Sequence, residues 1–165
     1  MAATIGTRCT AKAAQLLVGP TGINASLASG HGGGDLPPAV DASQIRVGNV
    51  AADLAERSTG VQYPAVNVYC EKITNELTEK FQTFSGTVQV AIELRYSQDR
   101  LDGLERALEF YAGAVMQMLN QNRGDWADGM YYCGRYQVTF GGVKHGGKNF
   151  LQAAKVTFEI GVGIN

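Results

Sequence analysis

The sequence predicts an α+β domain, in which an antiparallel sheet of about four strands packs on one long helix. Residues 86–96 alternate apolar and polar side chains, which is the period of a strand with one buried face. Residues 101–118 then carry apolar side chains at every third or fourth position, which is the stripe of an amphipathic helix. Each of these apolar surfaces needs cover, and each can cover the other.

The composition is that of one ordinary globular domain. The chain has 165 residues and a formal net charge of -1, so no excess of basic residues points to a polyanionic partner. No apolar run approaches the ~20 residues that span a bilayer, and no signal peptide is expected. Cys9, Cys70 and Cys133 are far apart and odd in number, which favours free thiols in a reducing compartment. His31 and His145 are isolated and there is no C-x-x-C motif, so we expect neither a metal site nor a cofactor.

Residues 1–60 differ from the rest of the chain, and we interpret them as a glycine-rich arm that precedes a core domain at 61–165. All 14 aromatic residues lie between Tyr63 and Phe158, whereas nine glycines fall within the first 60 positions. Short helices are expected at 11–18 and 23–28, followed by a flexible connector at 30–38. We expect this arm to add little to the core, either as a mobile terminal segment or as an arm that orders on a neighbouring subunit.

The core domain is predicted in the order strand, strand, helix, strand, strand. Ser97 or Asp99 is expected to cap the helix, Pro64 to mark a sheet edge or bulge, and Gly86 to mark a bulge or bend. The predicted elements are a strand at 61–71, a polar connection at 73–80, a strand at 81–95, the helix at 101–119, a loop at 124–129, a strand at 132–140, a turn at 141–149 and a strand at 150–162.

The predicted sheet has a second face that one helix cannot cover. The residues expected on it are mostly polar: Gln89, Glu93, Arg95, Lys155, Thr157 and Glu159. This face meets water, the N-terminal arm or another subunit. The last two strands are each about 12 residues long, which exceeds the usual strand length, so their hairpin is expected to overhang the core.

The segment Gly142–Asn149 nearly matches G-x-x-x-x-G-K-[ST], the phosphate-binding P-loop. Asn149 stands where the motif requires a hydroxyl, and an alternating strand follows where a helix N-terminus would hold phosphate. We therefore interpret the segment as a hairpin turn with a small basic tip of Lys144, His145 and Lys148. A nucleotide-binding enzyme that uses this loop is the alternative.

Two other features of the sequence bear on function. The run of His31 and three glycines is similar to the oxyanion-hole glycines of some esterases, but no G-x-S-x-G elbow accompanies it, and a flexible linker is the preferred interpretation. Trp126 lies in a loop between Asp125 and Asp128, and it is either a core plug or an interface anchor. No set of residues forms a recognisable catalytic site, so we expect an assembly protein and not an enzyme.

The core sequence resembles the tail-terminator (tail-completion, neck) proteins of long-tailed bacteriophages. The resemblance covers about Val61–Val162 and is carried by three segments: YPAVNVYCEKITNELTEKFQTFSGTVQVAIELR, SQDRLDGLERALEFYAGAVMQMLNQNRGDW and MYYCGRYQVTFGGVKHGGKNFLQAAKVTFEIGV. It implies a small α+β subunit of the virion tail, assembled in the host cytoplasm into a ring, usually a hexamer. Such a ring caps the tail tube, stops its polymerisation and joins it to the head.

The resemblance also implies partners. They are further copies of the chain, the tail tube protein and a head-tail connector or stopper protein. No membrane and no sequence-specific nucleic acid is expected as a partner, although the ring leaves room for DNA to pass through it. Tube proteins and head-tail stoppers use related folds, so the resemblance also allows either of these two roles. We expect subunit or tube contacts at two loops, through Arg123, Trp126, Asp128, Lys144, His145 and Lys148.

Overall fold

The computed structural model describes residues 5–29, 35–50, 61–146 and 148–165. The helices are α1 (Ile5–Val18), α2 (Ile23–Ser29) and α3 (Leu104–Gln121), with a single 3-10 turn at Ala42–Gln44. The strands are β1 (Ile45–Val47), β2 (Ala65–Asn75), β3 (Phe84–Gln98), β4 (Gly124–Ala127), β5 (Met130–Phe140), β6 (Lys144–Gly146) and β7 (Asn149–Ile164).

The strands form one mixed sheet in the order β1-β2-β3-β7-β5-β4, with β6 also paired to β7. β1 is parallel to β2, and every other pair is antiparallel. The sheet curls into a half-barrel and three helices accompany it, so the prediction of a four-stranded sheet on one long helix is wrong. The missed strands β1, β4 and β6 have only three or four residues each, which is too short for a period of two to be read.

The four long strands form the centre of the sheet. β3 and β7 pair along their whole lengths, from Phe84 opposite Ile164 to Gln98 opposite Phe150. Gly86 was expected at a bulge or bend, and no bulge occurs there, because it lies in regular register with both neighbouring strands. Glycine is required at this position because a Cβ would collide with the Thr74 carbonyl. The register shifts fall elsewhere, at positions 70–72 of β2 and 132–136 of β5.

Helix α3 follows the predicted stripe, and five apolar side chains of that stripe are buried: Leu104, Leu108, Tyr111, Val115 and Met118. The predicted cap is wrong, because Gly103 occupies the N-cap position with φ 80° and no side chain caps the helix. Gln98 instead donates to the carbonyls of Arg100 and Asp102, both at 2.7 Å, and thereby shapes the turn that precedes α3. Leu101 consequently lies outside the helix and is exposed.

Helices α1 and α2 belong to the core. Their buried apolar side chains are Ile5, Cys9, Ala13, Leu17, Ile23 and Leu27. Burying one large aliphatic side chain contributes roughly 1.5–3 kcal/mol, so the expectation that residues 1–60 add little to the core is wrong for the described part of that region. Small and aliphatic residues at helical spacing fill this layer without any aromatic side chain. The predicted boundary at residue 60 lies within 51–60, outside the described residues.

The connector that follows α2 is fixed at its C-terminal end. The Asn24 side chain makes two hydrogen bonds with the backbone of Val40, donating to its carbonyl at 2.7 Å and accepting from its N–H at 2.8 Å. The Tyr111 hydroxyl donates to the Pro38 carbonyl at 2.6 Å. Residues 35–40 are thus tied to α2 and α3, and Val40 is itself buried in the core.

Candidate assembly surfaces

Helices α1 and α3 pack on the apolar face of the sheet, with α2 lying on α3. The other face of the sheet carries the predicted polar side chains. Register confirms that these share one surface, because Gln89 lies opposite Glu159 and Glu93 lies opposite Lys155. We call this surface the polar face and define it by the residues 67, 69, 71, 89, 93, 95, 155, 157 and 159. Six of its side chains form hydrogen bonds and ion pairs across three strands, in two small networks: Tyr69, Glu71, Gln89, Glu93, Arg95 and Lys155.

The first network is centred on Glu93. Its carboxylate accepts from the Arg95 guanidinium at 3.0 Å and from the Tyr69 hydroxyl at 3.1 Å. The Arg95 residue is only 4% exposed and also donates to the Val50 carbonyl. Burial and the nearby Glu93 carboxylate raise the pKa of Tyr69, so its hydroxyl stays protonated and acts as a donor. Removing Glu93 would leave a buried cation without a carboxylate partner, which is strongly destabilising.

The second network is centred on Glu71. Its carboxylate accepts from Gln89 at 3.0 Å and forms an ion pair with Lys155. The two networks thus tie β2, β3 and β7 together through side chains as well as through backbone bonds. The groups of these two networks bond each other inside the subunit.

The sheet has unpaired backbone at both of its ends. β1 pairs only with residues 66–68 of β2, and among the described residues no strand pairs with the outer side of Tyr69–Asn75. At the opposite end, β4 pairs only with residues 130–132 of β5, and no described strand covers the outer side of Cys133–Phe140. We call these the β2 edge and the β5 edge. Unpaired edges of this length offer N–H and C=O groups to another chain.

The structure places Trp126 in the core. The residue is 4% exposed, and its ring lies 5.5 Å from that of Tyr132 and 6.0 Å from that of Phe158. Its indole N–H donates to the Asn122 carbonyl at 2.7 Å, near the end of α3. Of the two interpretations of Trp126, the structure supports the core side chain and not the interface anchor, because a buried side chain offers no contact area to a second subunit.

The other two predicted residues of that loop are exposed. Arg123 reaches Asn120 at 3.3 Å and lies over Gly134, whose φ of 100° and missing Cβ leave room for it. The Asp128 carbonyl accepts from the Arg8 guanidinium at 2.6 Å, which ties the loop to α1. Asp128 itself has φ 54°, a conformation that aspartate tolerates better than most residues. The structure therefore separates Trp126 from its two exposed neighbours.

The predicted basic tip forms part of a short hairpin. Lys144 and His145 lie on β6, opposite Leu151 and Phe150 of β7, and the imidazole ring of His145 is 5.0 Å from that of Phe150. Lys144, His145 and Lys148 are all exposed. Because strand β7 begins at Asn149, this segment lacks the following helix N-terminus on which a phosphate-binding loop depends.

Two features escaped the sequence analysis. Phe81 was expected at the start of a strand, but β3 begins at Phe84, and Phe81 stands fully exposed in the β2–β3 loop. A groove between α2 and α3 was not foreseen at all. The only sequence signal for Phe81 was a lone aromatic in the polar run 74–83. A groove between two helices leaves no such signal, because it depends on how they pack.

The described residues contain neither a disulfide nor a group of metal ligands. All three cysteines are free, and burial raises the pKa of Cys9 to about 11, with the nearby Cys70 adding to the effect. Over residues 5–29, 35–50, 61–146 and 148–165, no three His, Cys, Asp or Glu side chains group as metal ligands would. No helix in the described part of the chain has the length and hydropathy needed to cross a bilayer. The esterase-like run at 31–34 lies outside the described residues.

The chain matches no protein-family model and no curated protein.

Proposed function

We propose that this protein is a structural subunit that joins copies of itself through its sheet edges into a closed ring, and that the ring terminates the tail tube of a long-tailed phage. The observation that carries the first part is the pair of open edges at opposite ends of one sheet. The second part rests on the sequence resemblance described above.

Strand direction makes the two edges compatible. The long strands alternate across β2, β3, β7 and β5, so β5 runs opposite to β2. A second copy placed beside the first, without being turned over, therefore brings its β2 edge antiparallel to the β5 edge. Pairing of unlike edges is heterologous and repeats from copy to copy, and it closes into a ring when each step adds a rotation.

The N–H groups on the β5 edge can be assigned from the register. Gly141 donates its N–H to the Ala153 carbonyl at 2.8 Å, which continues the pairing of Phe140 with Ala154. Alternate residues of an antiparallel strand bond to opposite sides, so the N–H of Phe140 points away from β7 towards the open edge. Replacing Phe140 by proline removes that donor while sparing the bonds to β7.

The experiment compares wild type, Phe140→Pro and Phe140→Ala by native mass spectrometry and electron microscopy. We expect closed rings from wild type and from Phe140→Ala, which keeps the backbone donor, and smaller species from Phe140→Pro. Because two-fold pairing of like edges stops at a dimer, a wild type that is only monomeric or dimeric would contradict the ring.

The terminator role has a separate test. Purified ring added to polymerising tail tube subunits should stop their growth and remain at one end of each tube. Tubes of unchanged length, or rings incorporated along the tube, would instead favour a stopper or a tube protein. Micromolar binding of ATP by the wild type that is lost in Lys148→Ala would favour the nucleotide-binding alternative.

A further inference from the structure

The most exposed apolar side chains of the described molecule lie together in the β2–β3 loop, residues 76–83. Phe81 is 97% exposed and Leu77 is 61% exposed. The Gln82 N–H donates to the Glu79 carbonyl at 3.3 Å, so Lys80 and Phe81 are the two central residues of a tight turn. The turn holds the phenyl ring in water, away from the core of its own subunit.

This loop is fixed in shape by its own hydrogen bonds. The Asn75 side chain accepts from the N–H groups of Leu77, at 3.3 Å, and of Ser85, at 3.1 Å, and donates to the Thr83 carbonyl at 3.3 Å. The buried Ser85 hydroxyl accepts from the Glu79 N–H at 2.9 Å. A preorganised loop loses little conformational entropy on binding, so its exposed apolar groups contribute more to affinity.

An apolar groove on the helical side of the same molecule has room for such a ring. It lies between α2 and α3, its volume is about 390 Å³, and its apolar lining comes from Leu27, Phe110 and Ala114 together with Gly113. Nothing lies within 4 Å of the position that a Gly113 Cβ would take, so the missing side chain keeps the groove open. Pockets of this volume accept groups much larger than a phenyl ring.

The charges around the two features are complementary. Glu79 precedes and Lys80 adjoins Phe81 in the turn, whereas Arg106 and Glu109 line the groove. The Arg106 guanidinium lies 5.6 Å from the centre of the Phe110 ring, which places a cation at the mouth of the groove. One acid and one base on each side can form two opposite-charge pairs across a contact.

We propose that Phe81 of one copy inserts into the α2–α3 groove of the next copy, with Glu79 and Lys80 meeting Arg106 and Glu109. The occupant is a second copy of this chain, because the one sequence supplies an exposed phenyl ring, an apolar groove large enough for it, and complementary charges beside both. Phe81 and the groove lie on different parts of the subunit surface, so the contact is heterologous and can propagate from copy to copy. The inference builds on the proposed self-association and identifies a side-chain joint within it.

The first experiment measures the dissociation constant of the full-length chain by analytical ultracentrifugation. Phe81→Ala removes the phenyl ring that inserts, and Gly113→Leu fills the groove that receives it. Because leucine has a higher helix propensity than glycine, the folded subunit should tolerate Gly113→Leu. We expect each variant to weaken association by about 30-fold, the loss typical of a buried aromatic anchor. Tyr131→Ala is the matched control, because it removes an exposed aromatic elsewhere, and it should leave the constant unchanged.

The double variant tests whether the two positions share one joint. Phe81→Ala with Gly113→Leu should associate no more weakly than either single variant, because a joint can be broken only once. Multiplied losses would mean separate contacts and would overturn the inference. Lys80→Glu should weaken association, and adding Glu109→Lys should restore it. Failure of the second substitution to restore association would overturn the pairing of Lys80 with Glu109.

The outcomes separate this inference from the proposed function. If both Phe81→Ala and Gly113→Leu form rings with wild-type affinity, the Phe81–groove contact is refuted and the proposed ring is not. If association depends on Phe81 but yields only open linear assemblies, the proposed ring is refuted and the Phe81–groove contact is not. A loss in Phe81→Ala without any loss in Gly113→Leu shows that the phenyl ring binds elsewhere, and it also overturns the inference.

Discussion

Replacing Trp126 tests whether this residue stabilises the subunit or the assembly. Its indole packs on Tyr132 and Phe158 and donates to the Asn122 carbonyl. Truncating a buried tryptophan to alanine costs about 3–5 kcal/mol of unfolding free energy. In a protein of this size each kcal/mol lowers the melting temperature by about 2–4 °C, so Trp126→Ala should melt about 6–20 °C below wild type.

A second substitution separates packing from hydrogen bonding. Trp126→Phe keeps an aromatic ring in the cluster but leaves the Asn122 carbonyl without its indole donor, which should cost about 1–3 kcal/mol. Tyr131→Ala, on an exposed neighbour, should change stability by no more than about 0.5 kcal/mol.

The assay is thermal unfolding followed by circular dichroism at a concentration where the subunit is monomeric, with assembly measured in parallel. Trp126→Ala should lower the melting temperature of the lone subunit, and any loss of assembly should follow from that. If Trp126→Ala melts like wild type yet fails to assemble, the residue is an interface anchor and the reasoning from its burial is refuted.

Three other predictions concern the core. Gly86→Val should destabilise the subunit by more than about 1 kcal/mol in denaturant unfolding, since its side chain would collide with the Thr74 carbonyl; wild-type stability would contradict that close approach. Deletion of residues 1–29 should abolish cooperative unfolding, because it removes the α1–α2 layer of the core, and a sharp transition in the truncated chain would show that the sheet and α3 suffice. The raised pKa of Cys9 means that folding favours its protonated form, so stability should fall as pH rises from 9 to about 11. Cys9→Ala should make that fall smaller, and the remainder comes from Tyr69, Tyr111 and Tyr132, whose pKa values burial also raises; a fall of unchanged size would contradict the role of Cys9.

Local sequence patterns predicted several elements correctly. The buried stripe of α3 and the polar side chains opposite it on β3 and β7 follow from the periods of helix and strand, which are properties of the backbone alone. The β5–β7 hairpin was found for the same reason, since both strands are long enough for alternation to be read. These features needed no knowledge of what lies next to them.

The contribution of α1 and α2 could not be read in this way. Composition suggested that a segment without aromatics buries little, yet Ile5, Leu17 and Ile23 are each almost fully buried. Whether an amphipathic helix packs on the core or projects from it depends on a complementary surface elsewhere in the chain. For α1 that surface is the part of the sheet that α3 does not cover, and for α2 it is a side of α3. Both surfaces exist only once the strands and α3 have packed together.

The same distinction holds for the candidate surfaces. Side-chain chemistry is local, so the residue types alone identify the polar, basic and aromatic groups that a surface can use. Packing of the whole chain sets that Trp126 is buried while Phe81 is exposed and that a groove opens beside Gly113. It also leaves the outer sides of Tyr69–Asn75 and Cys133–Phe140 without a strand partner among the described residues. Burial, edges and grooves are relations between segments distant in sequence, and they arise from packing.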